Sequence, residues 1–186
     1  MPRYLTTKAI VVNHRRSLES DEVITLLTES LGKVVVNAKG VKSNKSHRQG
    51  SLELGNLIKT QLYEKNDRYW LADTVVLKHT LLLTKSLTQL NLIFYFLEIT
   101  NHFIAENQHL DNVFSITCAL LESVNKNDFA TLIRHEIQLL EALGFGVPEP
   151  ITLSYQKQDY PESQKQIKLF LESIIERPLH SSKLFK

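Results

Sequence analysis

The apolar spacing of this chain changes once, near residue 86, from a period of two to a period of 3.6, so strands are expected before that point and helices after it. Five early segments read as short strands: 8–13 (KAIVVN), 22–28 (EVITLLT), 33–39 (KVVVNAK), 57–64 (LIKTQLYE) and 68–77 (RYWLADTVVL). They are rich in Val, Ile, Leu, Thr and Tyr, which suit a pleated, half-buried surface. Ser30-Leu31-Gly32 and Lys65-Asn66-Asp67 are the tightest breaks and read as hairpin turns. Five short strands in about 75 residues fit a small closed barrel, because closure removes exposed sheet edges.

Beyond the change, Ser86 caps a helix that carries Leu87, Leu90, Phe94 and Leu97. A second helix, starting near Asp111 or Asn112, lines up Val113, Ile116, Leu120 and Val124. The third has Asn127 as its N-cap candidate, Phe129, Leu132, Ile133, Ile137, Leu140 and Leu143 on one face, and Gly144 just past its end. Residues 145–160 contain Pro148 and Pro150 and read as a connector. Pro161 suits the first turn of a last helix with Ile167, Phe170, Leu171, Ile174 and Ile175 as its apolar stripe, and Pro178 stops it. The expected class is α+β, with a five-stranded barrel over 1–80 and an all-α domain over 81–186. An OB barrel and an SH3-like barrel satisfy the strand pattern equally.

Composition removes several functions. One cysteine, Cys118, leaves no internal disulfide and no zinc site built on paired cysteines; it reads as a small core residue in a reducing cytoplasm. The longest apolar run, 92–97, is far short of the roughly 20 residues that span a bilayer. The first residues lack the apolar core of a signal peptide. The expectation is a soluble, cytoplasmic protein with no membrane partner. No Walker loop, no G-x-G-x-x-G and no H-E-x-x-H occurs, since His135-Glu136 is followed by Ile137, Gln138 and Leu139. His102 and His109 read as solvated or capping residues, and Glu19, Asp21 and Glu22 as the polar approach to a strand. Neither a catalytic residue, a metal nor a cofactor is expected.

Charge is the positive signal. The net charge of +2 divides into +5 over residues 1–80 (13 basic against 8 acidic) and −3 over the remainder (9 against 12). Residues 30–52 hold no carboxylate, while Lys33, Lys39, Lys42, Lys45 and Arg48 all fall inside that gap. A like-charged run repels itself unless water or a polyanion relieves it. On a strand, Lys33, Val35, Asn37 and Lys39 share one face, with a lysine at each end about 20 Å apart at about 3.3 Å per residue. Around the last hairpin Tyr63, Lys65, Arg68, Tyr69 and Trp70 interleave rings with cations, the mixture that single-strand binders use. Tyr69 and Trp70 are adjacent, so they point to opposite faces and at most one fills the barrel. Core packing is the ordinary use of Trp70, and the ring left outside would stack on a base for about 1–3 kcal/mol. Arg15 and Arg16 add a second basic patch on the loop between the first two strands.

The order of these features resembles bacterial RecO, the recombination mediator and strand-annealing protein. In that family an A-I-V-L-like strand leads to a D-x-[IV]-[TV]-x-[LF]-T strand, then to a G-x-[VL] strand ending in A-K-G and a basic, Ser-containing loop. Here those pieces are 9–12, 21–28, 32–36, Ala38-Lys39-Gly40 and 41–46. The helix end LLEALGFGVPEP and the closing ERPLHSSKL are similar to the family's as well. The resemblance implies an N-terminal OB fold, a helical C-terminal domain, and binding to single- and double-stranded DNA. It also implies annealing of complementary strands and, with RecR as partner, loading of RecA onto DNA coated by single-stranded DNA-binding protein, in the nucleoid of a bacterial cytoplasm. Many members carry a four-cysteine zinc module after the glycine-ended helix. Residues 145–160 contain no cysteine, so no zinc is expected here.

Two readings from different classes follow. One is a non-catalytic DNA-binding and annealing mediator that uses Lys33, Lys39, Lys42, Lys45, Arg48, Arg15, Arg16, Arg68, Tyr69 and Trp70. The alternative is a protein-interaction adaptor whose helical domain docks a partner and whose basic loop is only a solvated surface. A magnesium-dependent nuclease using Asp21 ranks behind both.

Overall fold

The computed structural model describes residues 3–16, 22–39 and 50–181, with the backbone alone for Arg3 and Arg16. Its strands are β1 (Arg3–Arg16), β2 (Glu22–Thr28), β3 (Gly32–Ala38), β4 (Leu57–Lys65) and β5 (Arg68–Lys78). They close into a barrel in the order β1-β2-β3-β5-β4, antiparallel throughout except for the parallel pairing of β3 with β5. This order is that of the OB fold. β1 is longer than its apolar centre suggests because it pairs with β4 through its first half and with β2 through its second. The two ladders overlap at Ala9 and Ile10, and a bulge between Val11 and Asn13 lies within the β1–β2 ladder. Arg15 and Arg16, expected on a loop, are the last residues of this strand, opposite Val23 and Glu22.

Alternation supplies the interior. Ala9, Val11, Ile24, Leu26, Val34, Val36, Ala38, Ile58, Leu62 and Leu71 point inward with Leu52, and each buried Val, Leu or Ile side chain contributes about 1.5–3 kcal/mol. The β4–β5 hairpin turns on Asn66 and Asp67, both left-handed at φ 52° and 56°, the geometry whose twist matches the flanking strands.

The chain forms two compact units, Met1–Leu83 with Ile99–Leu110, and Thr84–Glu98 with Asp111–Lys186. The boundary therefore interrupts helix α1 (Leu87–Phe103), whereas the sequence pattern divides the chain at residue 80. The reason lies at the start of β3. The Asn107 amide donates to the Lys33 carbonyl at 2.7 Å, and Lys33 bridges to Glu106. Gly32, at φ +69°, lies so close to this segment that a Cβ there would stand 1.9 Å from the Gln108 carbonyl oxygen.

In the second unit Ser86 caps α1 by accepting from the Gln89 amide. Helices α2 (Val113–Lys126) and α3 (Phe129–Ala142) follow. Asp128, not Asn127, caps α3, accepting from the Thr131 amide at 3.1 Å; Asn127 instead ends α2 in the left-handed region. Gly144, at φ +82°, closes α3 as expected. The stretch read as a connector holds a short helix, α4 (Glu149–Gln156). Pro148 and Pro150 do not break it, because they occupy its N-cap and first turn, where no amide donor is needed. Helix α5 (Tyr160–Ile175) is capped by Asp159, has Pro161 in its first turn, and buries Ile167 and Leu171.

Two carboxylates organise this unit. Glu98 accepts from the His180 amide and from the amide and hydroxyl of Ser181, at 2.7, 2.8 and 2.7 Å, pinning 180–181 to α1. Burial alone would raise its pKa, but these donors outweigh it and hold the group below the usual glutamate range. Glu136, on α3, is wholly buried and accepts from the Tyr95 hydroxyl at 2.7 Å, while its second oxygen has no partner among the described residues. Burial pushes its pKa up to about 8, so it is mainly a neutral acid at pH 7.

Two outcomes follow. Gly32→Ala is expected to lower the urea midpoint by the equivalent of about 2 kcal/mol or more, from left-handed strain and the Gln108 contact; Gly50→Ala, which meets open space, should stay within about 0.5 kcal/mol. Equal effects would contradict the packing. The Glu136 pKa is higher folded than its ordinary 4.5, so the folded state holds the proton more tightly between those values. That stabilisation is complete below about pH 4.5 and is lost by up to about 1.4 kcal/mol per pH unit as pH rises toward 8. Glu136→Gln cannot ionise, so its melting temperature should gain on the natural protein's between about pH 5.5 and 8.5. A constant difference across that range would refute the buried acid.

Candidate nucleic-acid interface

The barrel register settles which side chains share its outer surface. One row runs Tyr4↔Tyr63↔Trp70↔Asn37↔Val23↔Arg15 through β1, β4, β5, β3, β2 and β1 again. A full circuit returns to β1 shifted by 15 − 4 = 11 residues, one of them accommodated at the bulge. Directly opposed residues project from the same face of a sheet. Tyr4, Tyr63, Trp70, Asn37 and Arg15 therefore form one outward band.

Three of those residues are aromatic and touch in sequence. Tyr4 and Tyr63 have ring centroids 5.7 Å apart and tilted by 47°, and Tyr63 and Trp70 stack at 6.4 Å and 16°. Tyr4 is 57% exposed, a large apolar surface for a barrel exterior. The Lys39 ammonium lies 5.0 Å from the centre of the Trp70 ring, a cation–π contact worth about 0.5–1 kcal/mol at an exposed site. The indole N–H is buried and has no acceptor among the described residues. Beside it, a cleft of about 430 Å³ at the tip of the β4–β5 hairpin is lined by Lys65, Asn66, Arg68 and Trp70.

This placement corrects the sequence reading at three points. Trp70 is not the core ring: β5 pairs so that Tyr69, opposite Val36, packs against the barrel core and Trp70, opposite Asn37, stands outside. Tyr69 is therefore withdrawn from the stacking surface. Lys33 is withdrawn as well. It is only 6% exposed, and its ammonium donates to the Asn101 carbonyl at 2.6 Å. Burial lowers its pKa, opposed by Glu106 and reinforced by Arg15, so this charge is committed inside its own unit. The face with a lysine at each end thus has one exposed lysine, Lys39. Arg15 and Arg68 are exposed, as expected. The side chain of Arg16 and all of Lys42, Lys45 and Arg48 lie outside the described residues.

Sequence reading missed Tyr4. An isolated tyrosine near the start of a strand carries no signal of its own, and only the register opposite Tyr63 reveals it. Among the described residues no three His, Cys, Asp or Glu side chains assemble as a metal site, and no helix is long and apolar enough to cross a membrane.

Comparison with known proteins fits this geometry. Residues 1–78 match the family described as Recombination protein O N terminal, a span that coincides with the barrel. Over 145 residues the chain is 28% identical to the DNA repair protein RecO of Acetivibrio thermocellus, covering 76% of this chain and 58% of that protein. The RecO of Dehalococcoides mccartyi is 29% identical over 146 residues (77% and 58%), and that of Chloroherpeton thalassium 32% over 146 residues (75% and 56%). The chain thus spans a little over half the length of these relatives. The matched span is the OB barrel, and the similarity to these RecO proteins runs beyond it into the helices.

Proposed function

We propose that this chain is a non-catalytic DNA-binding protein of recombinational repair that anneals complementary single strands. With RecR it helps load RecA onto DNA coated by single-stranded DNA-binding protein, on the nucleoid of a bacterial cytoplasm. The barrel of residues 1–80 takes the DNA and the net-negative helical residues 81–186 take protein partners.

The observation that carries the reading is the band Tyr4–Tyr63–Trp70 flanked by Lys39, Lys65 and Arg68. Rings offer every base a stacking face without regard to sequence, and the cations neutralise the phosphates between them. The same geometry suits annealing. Stacking uses the face of a base and leaves its pairing edge free for a second strand. Each base stacked is worth about 1–3 kcal/mol, so two or three rings with a few phosphate contacts hold a strand firmly yet release it to a full complement.

Anisotropy of a labelled oligothymidine, titrated with the full chain at several salt concentrations, tests this. With about four phosphates engaged, the slope of log affinity against log salt is expected near −3, at about −0.7 per contact. Arg68→Gln and Lys39→Gln should each weaken binding alike across sequences and flatten the slope by about 0.7. Lys33→Gln should leave both unchanged, because that ammonium is buried on Asn101. No binding at low salt, a salt-independent affinity, or a Lys33→Gln defect equal to that of Arg68→Gln would overturn the reading.

A further inference from the structure

We propose that Trp70 is the residue by which this barrel distinguishes an unpaired strand from a duplex, and that Lys39 covers its ring until an unstacked base takes that place. The proposal rests on the nucleic-acid reading above and assigns selectivity within that site.

Trp70 stands on β5 between β3 and β4, and it is approached from both neighbours. Tyr63 stacks against it from β4. From the β3 side comes Lys39, two residues beyond Asn37, with its ammonium over the ring. Lys39 is exposed, and among the described residues its charge faces the indole and no carboxylate. The indole N–H lacks an acceptor beneath this cover, and the cleft beside the ring is edged by Lys65, Asn66 and Arg68.

These features describe a platform already occupied by a weakly held cation. A base with a free face makes the stronger contact with an indole, and the displaced ammonium then meets the phosphate that arrives with it. Exchange therefore costs little and gains both contacts. Within a duplex each base face is covered by its neighbours, so Lys39 has nothing to exchange with. Duplex then meets only the cations Lys39, Lys65 and Arg68, and single strand meets the cations and the ring.

Trp70 is the only tryptophan in the chain, so its fluorescence reports this platform alone. The experiment pairs anisotropy of labelled oligothymidine and of a labelled hairpin duplex with tryptophan emission, using the full chain at fixed salt. Single strand is expected to quench the emission and duplex to leave it unchanged. Trp70→Leu should lose about tenfold in single-strand affinity while duplex affinity stays within about twofold. Trp70→Phe, which keeps a ring, should retain most of the preference and shows that the position tolerates substitution. Lys39→Ala uncovers the ring, so quenching should persist although the salt slope falls by about 0.7. If the wild-type chain binds oligothymidine without quenching, or Trp70→Leu weakens single strand and duplex equally, the platform is refuted while the nucleic-acid reading stands. If neither ligand binds the wild-type chain, both fall.

Discussion

The short parallel pairing of β3 with β5, Val36 opposite Tyr69 and Asn37 opposite Trp70, fixes which side chains make up the candidate nucleic-acid surface. It closes the barrel, and it also decides parity. With Val36 buried, Tyr69 must face inward and Trp70 outward. A slip of one residue would reverse both and send the indole into the core. The amide of Asn37 reaches the Tyr69 carbonyl at 3.4 Å, a side-chain tie across the same closure. Once this register is set, Tyr63 and Tyr4 follow from the antiparallel partners of β5 and β4, and Lys39 emerges from β3 beside the indole.

The other end of β3 shows why a clean alternation does not define a clean surface. Lys33 obeys the outward parity of its strand, yet Ile99–Leu110 joins that unit and covers the position. A lysine can lie there because its ammonium reaches a backbone carbonyl, and because Gly32 next to it lets the covering chain approach closely. A buried lysine with one good acceptor is a structural fastener. It lends its charge to nothing outside.

Much of the fold was legible from period and punctuation. Strand-favouring residues between polar breaks marked 22–28 and 57–64 within a residue of the observed strand ends, and Asn66-Asp67 marked the β4–β5 hairpin through its tolerance of left-handed backbone. The ends of β1 were not legible, because Arg3, Arg15 and Arg16 look like loop residues; Arg3 is strand through distant Glu64 on β4, and Arg15 and Arg16 through Val23 and Glu22 across the β1–β2 hairpin. Helix α4 escaped for the opposite reason. Its prolines look like breakers in the sequence, although a proline in a first turn is compatible with helix. The candidate surface was half legible: interleaved rings and cations near Trp70 pointed to it, but core packing is the ordinary use of a tryptophan, and only the register gives the opposite answer.

We propose that nucleic acid meets the outer band of the barrel centred on Trp70. Amide chemical-shift mapping of the full chain with a short oligothymidine tests it most directly. Shifts concentrated at Tyr4, Lys39, Tyr63, Arg68 and Trp70, with Lys33 and Asn101 silent, are the predicted result. Shifts concentrated on α2 and α3, with the aromatic band unmoved, would contradict the account.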